Sequence, residues 1–240
     1  MQRLVLPLRT LKVSFVKRKA LIVTVIVTLI LALDQLIKVY IKSNFGYGES
    51  QALLGNWFVL EYIENQGMAF GTTFGSQAWH KLALSIFRIG AIGALIYYWI
   101  KQAQKGARLE FLIAIGFVFA GATGNLIDSM FYDFVFEYDP CMPFNRLDGS
   151  GITSKCFYGT IETRHTGFLF GNVVDMFKFQ AYWPESVPYL GQKEVFPFIW
   201  NLADATITLG VVMVFIRQKQ YFPQPIKNVD VADKNNPPST

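Results

Sequence analysis

The sequence predicts a mainly α-helical membrane protein: a bundle of four transmembrane helices with a small extended or β subdomain on the periplasmic face and both termini in the cytoplasm. Of the 240 residues, 52% are hydrophobic and 16% are charged, which is too apolar for a disordered chain and unusual for a soluble one. The apolar residues are concentrated in four runs of about 20 residues, enough to cross roughly 30 Å of hydrocarbon as a helix. The distribution of Lys and Arg along the chain sets the predicted orientation.

The four runs define the elements in order. The predicted helices span residues 20–41, 82–100, 111–130 and 196–216, and together with the loops between them they form a membrane domain of residues 20–216. The outer loops are then residues 42–81 and 131–195. Period-2 alternation in residues 58–63 favours a strand in the first outer loop, and we expect both loops to form a small extended structure on the outer face.

Positive charge flanks the runs on one side. Residues 1–19 contain six basic and no acidic residues, so we predict that this basic N-terminus stays in the cytoplasm. Lys101, Lys105 and Arg108 between the second and third helices, and Arg217 after the fourth, agree with that orientation. The residues from 217 to 240 form a cytoplasmic tail rich in Pro, Asn and Asp, which predicts disorder.

Two alternatives concern this charge. The basic start could be the n-region of a cleavable signal peptide, although no small-residue cleavage pattern closes the run and helical chemistry continues through residues 34–41. The net charge of +5 is mostly a topology signal, and no basic stripe interleaved with aromatic residues indicates nucleic-acid binding.

The cysteines and histidines predict no metal site. Cys141 and Cys156 lie in the long outer loop and can close a disulfide in an oxidising compartment, with two free thiols as the alternative. The two histidines, His80 and His165, have no ligand spacing that connects them with the cysteines. We therefore expect neither a metal nor an organic cofactor.

Polar residues inside the apolar runs share one predicted depth, near the outer ends of three helices. Each pair is spaced three or four residues apart, which puts both members on one helix face, so both can point into the bundle. The pairs are Asp34 with Lys38, Asn125 with Asp128, and Asn201 with Asp204.

Structural and chemical roles compete for these residues. Asp34 with Lys38 is better explained as a buried ion pair, and Asn125 with Asp128 as hydrogen bonding between helices. Asp204 is different, because Asp175 in the second outer loop can reach the same depth and share one proton with it, as in an aspartic-protease dyad. In the first outer loop, Asn65 is followed by Gly67 and Gly71, which permit tight backbone geometry around it.

Five motifs, in this order, resemble the lipoprotein signal peptidases, also called signal peptidase II: "LDQLIKVYIK", "NQGMAFG", "GATGNLIDS", "NVVDMFKF" and "FPFIWNLADATITLG". The resemblance spans residues 34–210 and implies a monomeric aspartic endopeptidase of the bacterial cytoplasmic membrane, in contact with membrane lipids. Its substrate would be a prolipoprotein whose lipobox Cys carries diacylglycerol, cut just before that Cys, with the active site facing the periplasm. Motif matching implies that Asp175 and Asp204 are catalytic. The supporting or substrate-binding residues would be Asp34, Lys38, Asn65, Gly67, Asn125, Asp128 and Asn201.

Three departures from the family pattern stand out. Ser129 follows the Asp of the "GNLID" motif where the family usually has Arg, and we hypothesise that Arg88 in the second helix replaces that guanidinium. Trp200 stands before Asn201 where Phe is usual. The connection between Ser129 and Val173 is longer than the family's typical one, and it could form a lid, a substrate contact or a neutral insertion.

Two rival classes remain at this point. A small transporter or channel subunit would use intramembrane carboxylates to relay protons or bind an ion, but it predicts polar groups through the full bilayer depth. A membrane chaperone or scaffold without chemistry would carry the carboxylates incidentally.

Overall fold

The structure of the chain is a computed structural model, and it describes residues 8–67 and 75–222. The first seven residues lie outside the described part. So do residues 68–74, which hold Gly71 and most of the "NQGMAFG" motif, and residues 223–240, most of the tail predicted to be disordered.

Helices make up most of the described chain. They are α1 (Leu8–Asn44), α2 (Ala78–Gln104), α3 (Leu109–Val135), α4 (Leu202–Ile216) and the short α5 (Gln218–Tyr221). Within the described residues, three helices are long and apolar enough to cross a membrane: α1 from Val16 onward, α2 and α3. The apolar α4 is shorter, with 15 residues. The chain is thus a mainly helical membrane protein.

The observed helix ends differ from the predicted ones. α1 begins at Leu8 rather than at residue 20, because the basic segment before the apolar run also consists of good helix formers. α3 continues to Val135, five residues into the predicted outer loop. α4 begins at Leu202 rather than at residue 196, because Pro197 disfavours a helix and the residues after it pair with a strand.

A small antiparallel sheet lies at one end of the helices, which we call the sheet end. Its strands are β1 (Ser50–Leu54), β2 (Phe58–Asn65), β5 (Val173–Phe179) and β6 (Ile199–Trp200), in the order β1-β2-β5-β6. A separate hairpin consists of β3 (Thr153–Cys156) and β4 (Gly159–Glu162). In β2 and β5, Asn65 pairs with Val173 and Ile63 with Asp175. The sheet therefore brings the "ENQG" and "NVVD" segments side by side.

Close packing of α3 against α4 depends on two glycines. A Cβ atom on Gly121 of α3 would lie 2.2 Å from the carbonyl oxygen of Ala203, and one on Gly210 of α4 would lie 2.6 Å from that of Ala114. Neither distance leaves room for a side chain, so the two backbones approach as small residues allow between membrane helices. This contact fixes the position of the first turn of α4 against α3.

The long connection after α3, residues 136–172, is tied to the end of that helix; we call it the insertion. The buried Arg164 guanidinium donates to both carboxylate oxygens of Asp133, at 2.7 and 2.9 Å, and to Asn145 Oδ1 at 2.7 Å. A disulfide joins Cys141 to Cys156. The insertion is therefore held by a buried ion pair and a covalent link.

Candidate active site

A buried polar cluster lies at the sheet end, between α1, α3, α4 and β5. The structure brings together there every residue that the sequence placed at one depth, together with the two from the outer loops. Its members are Asp34, Lys38, Asn65, Asn125, Asp128, Asp175, Asn201 and Asp204.

Lys38 is the centre of this cluster and is fully buried. Its ammonium lies 3.1 Å from Asp34 Oδ2 and 2.8 Å from Asp128 Oδ2, and it donates to Asn125 Oδ1 at 2.8 Å. An ammonium has three N–H donors, and here each finds an oxygen. Asp34 and Lys38 therefore serve the buried ion-pair role, extended by Asp128.

The two carboxylates beside Lys38 also position other elements. Asp34 Oδ1 accepts from the backbone N–H of Ala203 at 3.0 Å, at the start of α4. Asp128 accepts from the backbone N–H of Val174 in β5 at 3.4 Å. The ion pairs thus join α1 and α3 to the two segments that carry Asp175 and Asp204.

Asp175 and Asp204 are linked by a relay of two amides. Asn201 Nδ2 donates to Asp175 Oδ1 at 2.6 Å and also lies 3.2 Å from Asn125 Oδ1. Asn125 Nδ2 donates to Asp204 Oδ1 at 2.9 Å. Asn65 Nδ2 donates to the second oxygen of Asp175. The two carboxylates are held in fixed positions by amides that are themselves fixed.

Asn201 has a second task as the N-cap of α4. Its side-chain oxygen accepts from the backbone N–H of Asp204 at 2.9 Å, and Asp204 Oδ2 accepts from the N–H of Asn201 at 3.3 Å. This reciprocal capping box satisfies two donors at the helix start. The same bonds that begin α4 therefore orient the Asp204 carboxylate.

The electrostatic setting of Asp175 disfavours its charge. Burial and the nearby charge of Asp204 raise the pKa of Asp175 well above its ordinary value, outweighing the charge of Lys38 and the hydrogen bonds from Asn201 and Asn65 that favour ionisation. A carboxyl group in this position retains its proton when an ordinary aspartate has lost it.

Both carboxylates line one cleft of about 800 Å³. One wall is polar and the other is apolar and aromatic. The polar wall contains Asn65, Arg88, Asn125, Asp175 and Asp204. The apolar wall contains Phe179, Phe196, Phe198, Ile199, Trp200, Ile207, Leu209 and Val212.

Gly67 and Arg88 meet at the polar wall. Gly67 has φ = +89°, and a Cβ atom there would lie 2.6 Å from Arg88 Nη1. Its backbone N–H donates to Asn65 Oδ1, which orients the amide that reaches Asp175. Glycine is required at this position both by backbone conformation and by the guanidinium beside it.

Sequence reasoning missed Gln35, which adjoins the cluster. Its Nε2 donates to Asp128 Oδ1 at 2.9 Å, and its Oε1 accepts from the Tyr132 hydroxyl at 3.2 Å. The only signal in the sequence is its place beside Asp34 within "LDQLIK". No group of three His, Cys, Asp or Glu side chains suited to a metal ion occurs in residues 8–67 or 75–222.

Comparison with known proteins identifies the family. The model of signal peptidase (SPase) II matches residues 26–219. A lipoprotein signal peptidase of Porphyromonas gingivalis is 35% identical over 211 residues, covering 85% of this chain and 86% of the relative. The chain belongs to the signal peptidase II family. Members of this family are peptidases, so the transporter and scaffold alternatives lose their support.

Further similarities agree with membership in the signal peptidase II family. A lipoprotein signal peptidase of Amoebophilus asiaticus is 30% identical, covering 87% of this chain and 82% of the relative. A solved structure of a bacterial membrane enzyme, determined by the in meso method, matches with a TM-score of 0.53 at 23% identity, covering 85% of this chain and 94% of that one. The likeness in structure concerns the fold.

The departures from the signal peptidase II pattern now have locations. Ser129 is fully buried and donates only to the backbone carbonyl of Asn125, at 3.3 Å, so no positive charge enters the site from that position. Arg88 lies instead in the wall of the cleft with Asp175 and Asp204.

Proposed function

We propose that this chain removes the signal peptide from diacylglyceryl-modified prolipoproteins, cutting before the lipidated Cys, with Asp175 and Asp204 as its catalytic dyad. The observation that carries the proposal is the pair of carboxylates in one cleft wall, each fixed by an asparagine and joined through the Asn201–Asn125 contact. The names of the relatives point to the same substrate class.

The mechanism follows from two carboxyl groups that share one proton. The ionised member takes a proton from a water molecule, and the resulting hydroxide attacks the scissile carbonyl carbon. The protonated member donates its hydrogen to the carbonyl oxygen, which gives a neutral tetrahedral intermediate. Collapse then breaks the C–N bond as a proton moves to the leaving amine. The raised pKa of Asp175, which results from burial and the charge of Asp204, keeps one proton in the pair near neutral pH.

The two walls of the cleft suit the two parts of a lipidated peptide. The polar wall faces the scissile bond, while aromatic and branched side chains on the opposite wall, among them Phe179, Phe198 and Leu209, offer an apolar surface for acyl chains or the signal helix. Such a substrate never leaves the lipid phase, so an open, largely apolar cleft is appropriate. We include membrane lipids among the partners for the same reason.

The same proposal covers topology. We place the protein in the bacterial inner membrane as a monomer, with four spans, cytoplasmic termini and the sheet end in the periplasm. α4 serves as the fourth span because it packs along α3 through Gly121 and Gly210. Basic residues gather at the opposite end, where Lys19 Nζ donates to the carbonyl of Ala107 at 2.6 Å and Arg217 lies 3.2 Å from Glu110.

The deciding experiment is cleavage of a diacylglyceryl-modified prolipoprotein by purified protein in detergent. Wild type is expected to cut, and Asp175→Asn and Asp204→Asn are each expected to lose at least about 1,000-fold in rate, because each removes one half of the acid–base pair. Cleavage is measured by the mass of the released signal peptide.

Asp148→Asn is the matched control. Its carboxylate pairs with Arg146 on the surface, with both side chains exposed, so the exchange makes the same chemical change outside the cleft and is expected to keep the wild-type rate. Thermal unfolding of all four proteins checks the fold. Normal cleavage by either dyad variant contradicts the dyad, and no cleavage by folded wild type contradicts the substrate.

A further inference from the structure

The Arg88 guanidinium is a charged group in the cleft wall without a partner. No acceptor among the described residues receives a hydrogen bond from its buried Nη1. None of the ion pairs in the described part of the chain includes it. Every other cation near the dyad is satisfied, as Lys38 illustrates.

An unpartnered guanidinium on a membrane helix is costly. Charged side chains within membrane segments usually face the bundle interior or a cavity and pair with one another or with backbone carbonyls. Trp200 Nε1 is another buried donor without a partner at this cleft, but an uncharged indole loses far less by remaining unpaired than a guanidinium does. The position of Arg88 therefore calls for an acceptor that the described chain does not supply.

The surroundings of Arg88 indicate where that acceptor enters. The guanidinium packs over Gly67, and it lines the same cleft as Asp175 and Asp204. A residue with any side chain at position 67 would fill the space that the guanidinium occupies. The fold thus keeps room for a cation next to the dyad and gives it no internal counterpart.

We propose that Arg88 binds a carbonyl oxygen of the substrate in the cleft. This inference rests on the proposed function, because it takes its acceptor from the prolipoprotein. A lipidated peptide near the scissile bond presents neutral carbonyl oxygens of two kinds, those of the peptide backbone and those of the two glyceryl esters. A planar guanidinium with several N–H donors suits such oxygens better than a point-like ammonium does.

The test compares steady-state kinetics of wild type, Arg88→Met and Arg88→Lys. Arg88→Met keeps the apolar stem and removes all donors, and we expect kcat/KM to fall about 10- to 100-fold, mainly through a higher KM. Arg88→Lys keeps the charge with a different donor geometry and is expected to raise KM by less. Arg108→Met is the matched control, because Arg108 precedes α3 at the opposite end of the bundle and contacts Gln220 at 2.8 Å.

A second substrate separates the two kinds of carbonyl. In a dialkyl ether analogue of the lipidated Cys, the ester carbonyls are absent and the peptide is unchanged. A loss in Arg88→Met on both substrates assigns the contact to the peptide. A loss on the diester alone, with the ether cleaved equally by wild type and variant, assigns it to the lipid. Either result supports the proposal.

Three results would overturn it. Kinetics of Arg88→Met equal to those of Arg108→Met on both substrates would remove Arg88 from binding. A lower kcat with unchanged KM and a shifted pH profile would make Arg88 a group that acts on the dyad instead. If Arg88→Met does not fold, a wild-type KM in Arg88→Lys would contradict the need for a guanidinium. Failure of wild type on the diester would instead reject the proposed function and, with it, this inference.

Discussion

Asp175 differs from an ordinary aspartate because the fold makes its ionisation unfavourable. Burial acts first and the charge of Asp204 second, and together they raise its pKa. A raised pKa in the folded state means that the folded protein holds this proton more tightly than the unfolded chain does. As the pH rises from the ordinary aspartate value through the raised one, ionising Asp175 therefore costs folding stability.

This shift predicts the pH dependence of cleavage. Since the mechanism needs one proton on the pair, kcat/KM is expected to stay high well above pH 3.8, the ordinary value for an aspartate, and to fall at higher pH when the pair loses that proton. The profile is measured from pH 4 to 9 with the lipidated substrate. Activity that disappears on raising the pH just past the ordinary aspartate value would contradict a shared proton.

At this scale the sequence predicted the residues better than their partners. Spacings of three and four predicted that Asp34 and Lys38 share a helix face, and they form a close pair. The contact of Asn65 with Asp175 joins residues 110 apart, and no local pattern encodes it. Arg88 could be selected only as a costly charge; its place beside Gly67 required the tertiary structure.

Among the elements, α4 couples helix formation to the site. Asn201 caps the helix and also donates to Asp175 through its amide nitrogen. Its side chain is fully buried, so each of these bonds matters for both stability and geometry.

Two substitutions separate the tasks of Asn201. Asn201→Ser keeps a capping oxygen and loses the amide donor, so we expect near-normal stability with cleavage reduced at least about tenfold. Asn201→Ala loses both and is expected to be about 1–3 kcal/mol less stable as well. Chemical or thermal unfolding in detergent, run beside the cleavage assay, measures the two effects. Equal stability of the two variants would argue against the cap.

The element boundaries show what periodicity and hydropathy can predict. The apolar runs located the cores of α1, α2 and α3, since those cores are lipid-sized. They misplaced the start of α4, because the five aromatic and aliphatic residues before Asn201 are as apolar as the helix itself. There, Pro197 and the pairing of Ile199 and Trp200 with β5 decide the conformation.

For the whole molecule, the insertion bears on orientation. Its disulfide closes a separation of 15 residues, which in the chain-entropy account stabilises a fold by about 3 kcal/mol. Such bonds persist in oxidising compartments, and the insertion is attached to the sheet end through Arg164 and Asp133. A periplasmic sheet end and a cytoplasmic α2–α3 turn follow from the same reasoning as the basic flanks.

Single-cysteine labelling tests this orientation. In a background with Cys141→Ser and Cys156→Ser, Tyr158→Cys replaces a residue that is 96% exposed in the turn between β3 and β4. Lys105→Cys, in the exposed turn between α2 and α3, is the matched control at the opposite end. A membrane-impermeant maleimide added to intact spheroplasts is expected to label Tyr158→Cys at once and Lys105→Cys only after lysis. The reverse pattern would place the dyad on the cytoplasmic side, where the proposed substrate is not presented for cleavage, so the proposed function and orientation would fall together.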